Sequence, residues 1–317
     1  MKVVVGYFQT DPFLNELRSE FPGVEFQPAA TEEEQRFHIQ DADIFLGVPS
    51  REVFLAAEKL RWLHCPGTGV DRLMEIPEIA DSDVVLTNAR GPHTNPMADH
   101  AFGMILTFAH HMRELWDDQR ARRWDLHKYN ERMIELDGAT MGILGLGGIG
   151  RAVARRALGF GMDVFGVDAD VTEPPVGVNE VWPPDRLDDL LKISDWFVVA
   201  VPYTAETDGI IDGRRIGLMK PGSYMIVLSR GGIVDEDAVV EALGTGQLAG
   251  VGLDVTAVEP LPQDSPLWEH ENVIISPHVS ALTPEMWEGR RQLFKENLRR
   301  FLANEPFLYV VDKKAGY

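Results

Sequence analysis

The chain has 317 residues, 44% hydrophobic and 25% charged; that is the composition of a soluble globular enzyme, at a length for which two domains are the default. With 30 basic against 50 acidic residues the net charge is -20, which argues against nucleic acid and anionic membrane surfaces as partners, since both need basic patches. A single cysteine, Cys65, excludes an intrachain disulfide, no apolar run approaches the ~20 residues of a membrane span, and the N-terminal MKVVVGYF reads as a strand rather than a signal peptide, so a cytoplasmic location is expected.

In chain order, strand patterns are expected at Val3–Phe8, Val24–Gln27, Ile44–Val48, Arg61–Cys65 and Val84–Thr87. Helical patterns such as Pro12–Glu20 and Glu52–Lys59 separate them, which predicts a small parallel sheet with helices on both faces. Cys65 reads as a small buried hydrophobe at a strand end. Residues 97–124 form one long helical pattern, apolar first and charged later, so its first half is expected to be buried. A polar loop, Asp125–Asp137, follows.

Residues 142–168 read GILGLGGIGRAVARRALGFGMDVFGVD, an apolar strand, a G-x-G-x-x-G turn, a helix and a second strand ending on an acid. Gly145 permits the tight turn, Gly147 lets the backbone approach a pyrophosphate, and Gly150 lets helix and strand pack closely. The positive end of the helix attracts phosphate. Asp168, 18 positions after Gly150, can accept hydrogen bonds from a ribose diol. The segment predicts dinucleotide binding. Its carboxylate suits NAD and repels the 2′-phosphate of NADP, and Ala169 and Asp170 bring no cation to hold that phosphate.

Further strands are expected at Trp196–Ala200, Tyr224–Leu228, Leu248–Asp254 and Val273–Ser276, with helices at Leu187–Leu191 and Asp235–Leu243. Glu173–Pro184 reads as a surface loop, and the amphipathic helix Pro284–Asn304 is expected to pack back on the first domain. Three side chains follow strand ends, where sites of open parallel sheets lie. His278 is a natural acid/base near neutral pH, although alone it reads equally as a structural histidine. Glu259 could orient an imidazole, or be a solvated loop acid. Arg230, beside Gly231 and Gly232, could grip a carboxylate through two parallel hydrogen bonds, or salt-bridge at the surface. No metal site is suggested.

Several ordered motifs then carry a resemblance over nearly the whole chain. Met219-Lys220-Pro221-Gly222 leads to Arg230-Gly231-Gly232-Ile233-Val234-Asp235; Leu253-Asp254-Val255 precedes Glu259-Pro260; Ser276-Pro277-His278 follows; Pro202-Tyr203-Thr204-Ala205-Glu206-Thr207 and Gly67-Thr68-Gly69-Val70-Asp71 stand earlier. This set resembles the D-isomer-specific 2-hydroxyacid dehydrogenase family. The resemblance implies an α/β protein, with a Rossmann-type doubly wound nucleotide domain over residues 97–283 and a flavodoxin-like α/β substrate domain from 1–96 and 284–317.

It implies that Arg230 holds the substrate carboxylate and polarises its carbonyl, that His278 is the acid/base with Glu259 as partner, and that Gly67, Thr68 and Gly69 offer backbone N–H groups to the carboxylate. The cofactor site it implies takes in Gly145, Gly147 and Gly150 of the turn, with Gly148 and Ile149 at the pyrophosphate and Asp168 at the adenosine ribose. Val201, Pro202, Thr207 and Ser229 line the cleft, and Asp254 faces the nicotinamide carboxamide. The activity implied is NAD-dependent interconversion of a short 2-oxo acid, such as glyoxylate or hydroxypyruvate, and its D-2-hydroxy acid.

Two departures stand out: Val227-Leu228 where the family often has Asn, and Ala98-Asp99-His100 where it usually has A-E-H. Formate oxidation would call for Gln at Glu259, and phosphite oxidation for Lys at Thr68. A 3-phosphoglycerate enzyme is expected to bring extra basic residues and often a C-terminal regulatory domain, for which the chain leaves no room. The helix 97–124 and the loop Trp124–Met133 resemble the family's dimer-forming segment, which implies a homodimer. Hinge closure is expected near residues 94–98 and 281–286. An NAD-sensing corepressor or scaffold of the same fold is the alternative.

Overall fold

The computed structural model describes residues 1–6, 11–170 and 173–317, and the side chain of Asp11 is outside that description. The chain divides into two compact units, Met1–His93 with Thr283–Tyr317, and Thr94–Leu282.

The first unit contains strands β1 (Lys2–Val5), β2 (Glu25–Pro28), β3 (Ile44–Leu46), β4 (Trp62–His64) and β5 (Val85–Thr87). All pair in parallel in the order β2-β1-β3-β4-β5, the flavodoxin-type winding. Val3, Val4, Ile44, Phe45, Leu46, Trp62 and Leu63 have no solvent exposure, as expected for strands covered on both faces. One covering element is the helix Pro284–Ala303, capped by Thr283, whose Phe294 and Leu298 pack with Val3, Val5 and Trp62. Trp62 stacks on Phe294 with ring centroids 5.5 Å apart. Strand β1 stops at Val5; the part of the expected strand at Tyr7 and Phe8 lies outside the described residues.

The second unit contains β6 (Thr140–Leu144), β7 (Asp163–Val167), β8 (Glu180–Trp182), β9 (Trp196–Val199), β10 (Ser223–Val227), β11 (Leu248–Leu253) and β12 (Val273–Ile275). They form one parallel sheet in the order β12-β11-β10-β9-β6-β7-β8. The chain winds outward from β6 to β8, then returns to β9 and winds the other way. The switch between β6 and β9 is where such sheets open a crevice at their carboxyl ends. Helices Thr94–Ala109 and Gly148–Gly159 cover one face; Leu187–Ile193 and Glu236–Thr245 cover the other.

Two expectations are corrected. The single helix over 97–124 is two helices, Thr94–Ala109 and Met112–Arg120, broken at His111, which has φ 48°. The returning loop makes the break: Ile134 N donates to Ala109 O at 2.9 Å, and His111 Nε2 lies 3.0 Å from Arg132 O. The supposed surface loop 173–184 contains β8, an edge strand pairing with β7. With three residues and no fully buried side chain it carries no apolar signature.

Candidate active site

The turn after β6 is built by steric necessity. Gly145 has φ 92°, and a β-carbon there would meet Val201 Cγ1 at 2.8 Å and the Ala200 carbonyl carbon at 2.9 Å. A β-carbon on Gly150 would lie 1.9 Å from Gly145 O, so only glycine lets this helix reach the strand. Gly147 is the N-cap of the helix Gly148–Gly159 and makes no side-chain cap, and a β-carbon there would meet nothing within 4 Å. Bare amides at a helix N-terminus beside open space are a cradle for pyrophosphate. At the end of β7, Asp168 Oδ2 accepts the Leu146 amide at 2.6 Å and Oδ1 the Asp170 amide at 2.9 Å, which fixes the carboxylate beside the turn. Across the switch point, Thr207 Oγ1 donates to Pro202 O at 2.7 Å and accepts from Thr204 N at 2.8 Å, closing the loop after β9. Val201 and Ile149 are half-buried. The donor set fits a dinucleotide.

The other three groups come from the carboxyl ends of three adjacent strands. After β10, Ser229 is buried, its hydroxyl has no hydrogen-bond partner among the described residues, and Arg230 Nη1 donates to Ser229 O at 2.8 Å. A β-carbon on Gly231 would lie 1.9 Å from Thr256 O, so glycine lets this segment press against the loop after β11. That loop carries Glu259, whose Oε1 accepts the Thr256 amide at 3.3 Å. After β12, His278 Nδ1 lies 2.9 Å from Glu259 Oε2. With an ionised carboxylate as partner Nδ1 is the donor, and Nε2 is left to exchange a proton elsewhere. Both side chains reach solvent, 43% and 36% exposed. Glu236, whose Oε1 accepts the Ala257 amide at 2.5 Å, is held above the usual carboxylate range by burial and then by Asp237, Asp235 and Glu259.

Asp254 has no solvent exposure. Its carboxylate accepts from Ser276 Oγ at 2.6 Å and from the amides of Val279 and Ser280. Ser276 in turn contacts His100, a pairing 176 residues apart that motif spacing does not reveal.

In the first unit, Gly67, Thr68 and Gly69 follow β4. Their carbonyls are taken by the Ala89 amide (2.9 Å), Asn88 Nδ2 (2.7 Å) and Cys65 Sγ (3.7 Å), so the amides are the turn's remaining backbone handles. Thr68 Oγ1 and Asn88 Oδ1 are buried without a hydrogen-bond partner among the described residues. Asn88 was not anticipated from the sequence. Cys65 is buried, as its place at a strand end suggested. Beneath the turn, burial and then the charge of Arg290 push the His64 imidazole down to about 3. Among the described residues no cluster of His, Cys, Asp and Glu could hold a metal ion, and no helix is long and apolar enough to cross a membrane.

A family model described as D-isomer specific 2-hydroxyacid dehydrogenase, NAD binding domain, matches residues 102–280. A D-3-phosphoglycerate dehydrogenase of Methanocaldococcus jannaschii is 32% identical over 316 residues, 98% of this chain, which spans 60% of that protein's length. A glyoxylate reductase of Korarchaeum cryptofilum is 36% identical over 259 residues, 80% of this chain and 76% of the relative. Among solved structures, a D-isomer specific 2-hydroxyacid dehydrogenase from Xanthobacter autotrophicus Py2, in complex with NADPH and MES, has a TM-score of 0.84 at 29% identity and covers 99% of both chains.

Proposed function

The chain belongs to the D-isomer specific 2-hydroxyacid dehydrogenase family, NAD(P)-dependent oxidoreductases acting on a CH–OH group, and on that premise we propose that it interconverts a short 2-oxo acid, glyoxylate or hydroxypyruvate in type, and its D-2-hydroxy acid, with NADH preferred over NADPH. The observation that carries this reading is the His278 Nδ1–Glu259 pair at 2.9 Å, set after β12 and β11 beside the β10 end that bears Arg230. When bound, the nicotinamide supplies or accepts the hydride. Arg230 binds the substrate carboxylate and places positive charge beside the carbonyl oxygen, where negative charge develops. His278, with Nδ1 held by Glu259, gives its Nε2 proton to that oxygen in reduction and takes it back in oxidation. The amides of Gly67, Thr68 and Gly69 are a second carboxylate-binding group within the first unit.

Gly145 and Gly150 shape the cofactor turn, the pyrophosphate is assigned to Gly147, Gly148 and Ile149, the ribose diol to Asp168, and the cleft lining to Val201, Pro202, Thr207 and Ser229. Because Asp168 is fixed at the end of β7, a 2′-phosphate would meet a carboxylate at close range. NADH oxidation with a panel of short 2-oxo acids tests the reading directly. We expect turnover of at least one acid, with kcat/KM at least about 10-fold higher for NADH than for NADPH, that is about 1.4 kcal/mol of discrimination. A preference for NADPH would overturn the cofactor assignment, and no turnover with any acid would overturn the activity.

The segment 112–133 exposes Met112, Trp116, Trp124 and Leu126, Trp124 almost completely. Apolar side chains concentrated in one segment mark an association surface, and we assign it to a homodimer. Light scattering is expected to give twice the chain mass; a single-chain mass would remove the assignment.

A further inference from the structure

Asp254 follows β11 and gathers the chain around His278. Its backbone carbonyl accepts the His278 amide at 2.8 Å. Its carboxylate accepts the Val279 amide at 3.0 Å and the Ser280 amide at 3.2 and 3.1 Å. One buried residue therefore collects three successive amides. The clamp has a reason: His278 has φ 54°, a left-handed conformation that is strained for a residue with a β-carbon and persists only where the surroundings impose it.

The clamp is itself held from behind. Ser276 Oγ lies 2.6 Å from Asp254 Oδ1 and 2.9 Å from His100 Nε2. A hydroxyl has one proton, and the carboxylate takes it. His100 Nε2 must then be the donor to Ser276. His100 stands on the helix Thr94–Ala109, and its Nε2 is 3.9 Å from Asp254 Oδ1. The result is a directed chain, from His100 to Ser276 to Asp254 to the 278–280 backbone, that ends on the residue bearing the imidazole. Neither His100 nor Ser276 contacts Glu259 or Arg230 through any hydrogen bond among the described residues.

The geometry points to His100 and Ser276 as positioning residues for His278: they fix the Asp254 carboxylate, and through it the backbone that aims the imidazole at Glu259. This rests on the proposed role of His278 as acid/base. Ser276→Ala should lower kcat about 10-fold, the equivalent of one buried hydrogen bond to a charged group, with KM for the 2-oxo acid and Kd for NADH within about twofold of wild type. Ser276→Thr, which keeps the hydroxyl, should restore kcat to within about threefold, and His100→Leu should reproduce the loss that His100→Gln partly relieves. Independently of turnover, amide hydrogen exchange over 278–280 should speed up in Ser276→Ala and His100→Leu, while exchange in β6 to β11 stays as in wild type. Unchanged kcat with unchanged exchange would overturn the proposal. So would a general loss of protection with kcat lowered and KM raised, since that is a structural defect. If wild-type protein turns over no 2-oxo acid, the functional reading fails, and the exchange measurement alone decides whether the chain from His100 clamps the loop.

Discussion

His278→Asn is expected to lower kcat for 2-oxo acid reduction by at least about 100-fold while NADH still binds, because it removes general acid–base transfer and little else. Asparagine suits the experiment better than alanine for a structural reason. Position 278 has φ 54°, and asparagine is among the few residues that enter the left-handed region readily. Its side-chain amide also retains an N–H for Glu259 Oε2, which accepts a hydrogen bond from Nδ1–H in the wild type. The ring nitrogen proposed to carry the exchangeable proton has no counterpart in asparagine. NADH affinity, measured by fluorescence titration, should stay within about threefold, since no cofactor group is assigned to this side chain. Turnover within about 10-fold of wild type would remove His278 from the reaction.

The second large effect concerns stability in mild acid. His64 is 1% exposed, and its imidazole is pushed down to about 3, first by burial and then by the charge of Arg290. The hydrogen bonds agree with a neutral ring. Trp62 Nε1 can only donate, and it donates to Thr87 Oγ1 at 2.8 Å, which leaves the Thr87 proton available for the lone pair of a neutral His64 Nδ1, 2.7 Å away. The unfolded chain protonates this histidine near its ordinary value, about 6.5, while the folded chain does not. Below that value the unfolded state binds the extra proton, so stability is full above about 6.5 and falls with pH until the folded ring protonates near 3. The slope approaches about 1.4 kcal/mol per pH unit. His64→Asn keeps an acceptor for Thr87 but does not titrate. Urea unfolding at about pH 7 and about pH 5 should show a smaller loss for the variant, by about 1–2 kcal/mol, even though its stability at neutral pH is lower. Equal losses in the two proteins would show that His64 does not govern the acid limb.

The legible parts of this chain are those where local chemistry leaves little choice. The turn at 145–150 was visible because a β-carbon at Gly150 would collide with Gly145 O, and such a constraint leaves a pattern of glycines. Arg230, Glu259 and His278 were legible as loop residues after apolar strands, but spacing alone could not separate a catalytic from a structural histidine; the family motifs are what favour the catalytic reading. The break at His111 was hidden because the apolar-to-charged gradient runs through it, and the loop that ends the first helix comes from residues 132–134. His100 was noted only as part of a motif variant. Its partner Ser276 lies across the unit, and no local period encodes such a pairing. His64 passed as one histidine among nine, since its burial depends on Thr87, Trp62 and Phe294 meeting it in the fold.

The first unit is drawn from two stretches, Met1–His93 and Thr283–Tyr317. On the ribosome, its five strands emerge well before the helix Pro284–Ala303 that supplies Phe294 and Leu298 to the core with Val3, Val5 and Trp62. For the whole time the second unit is being synthesised, one face of this early sheet has only part of its cover, Phe13, Leu14, Leu17 and Phe21, and lacks Phe294 and Leu298. Domains fold as units and exposed apolar surface invites misassembly, so biosynthesis sets an order: the later-encoded Rossmann unit can close first, and the earlier-encoded one is sealed last.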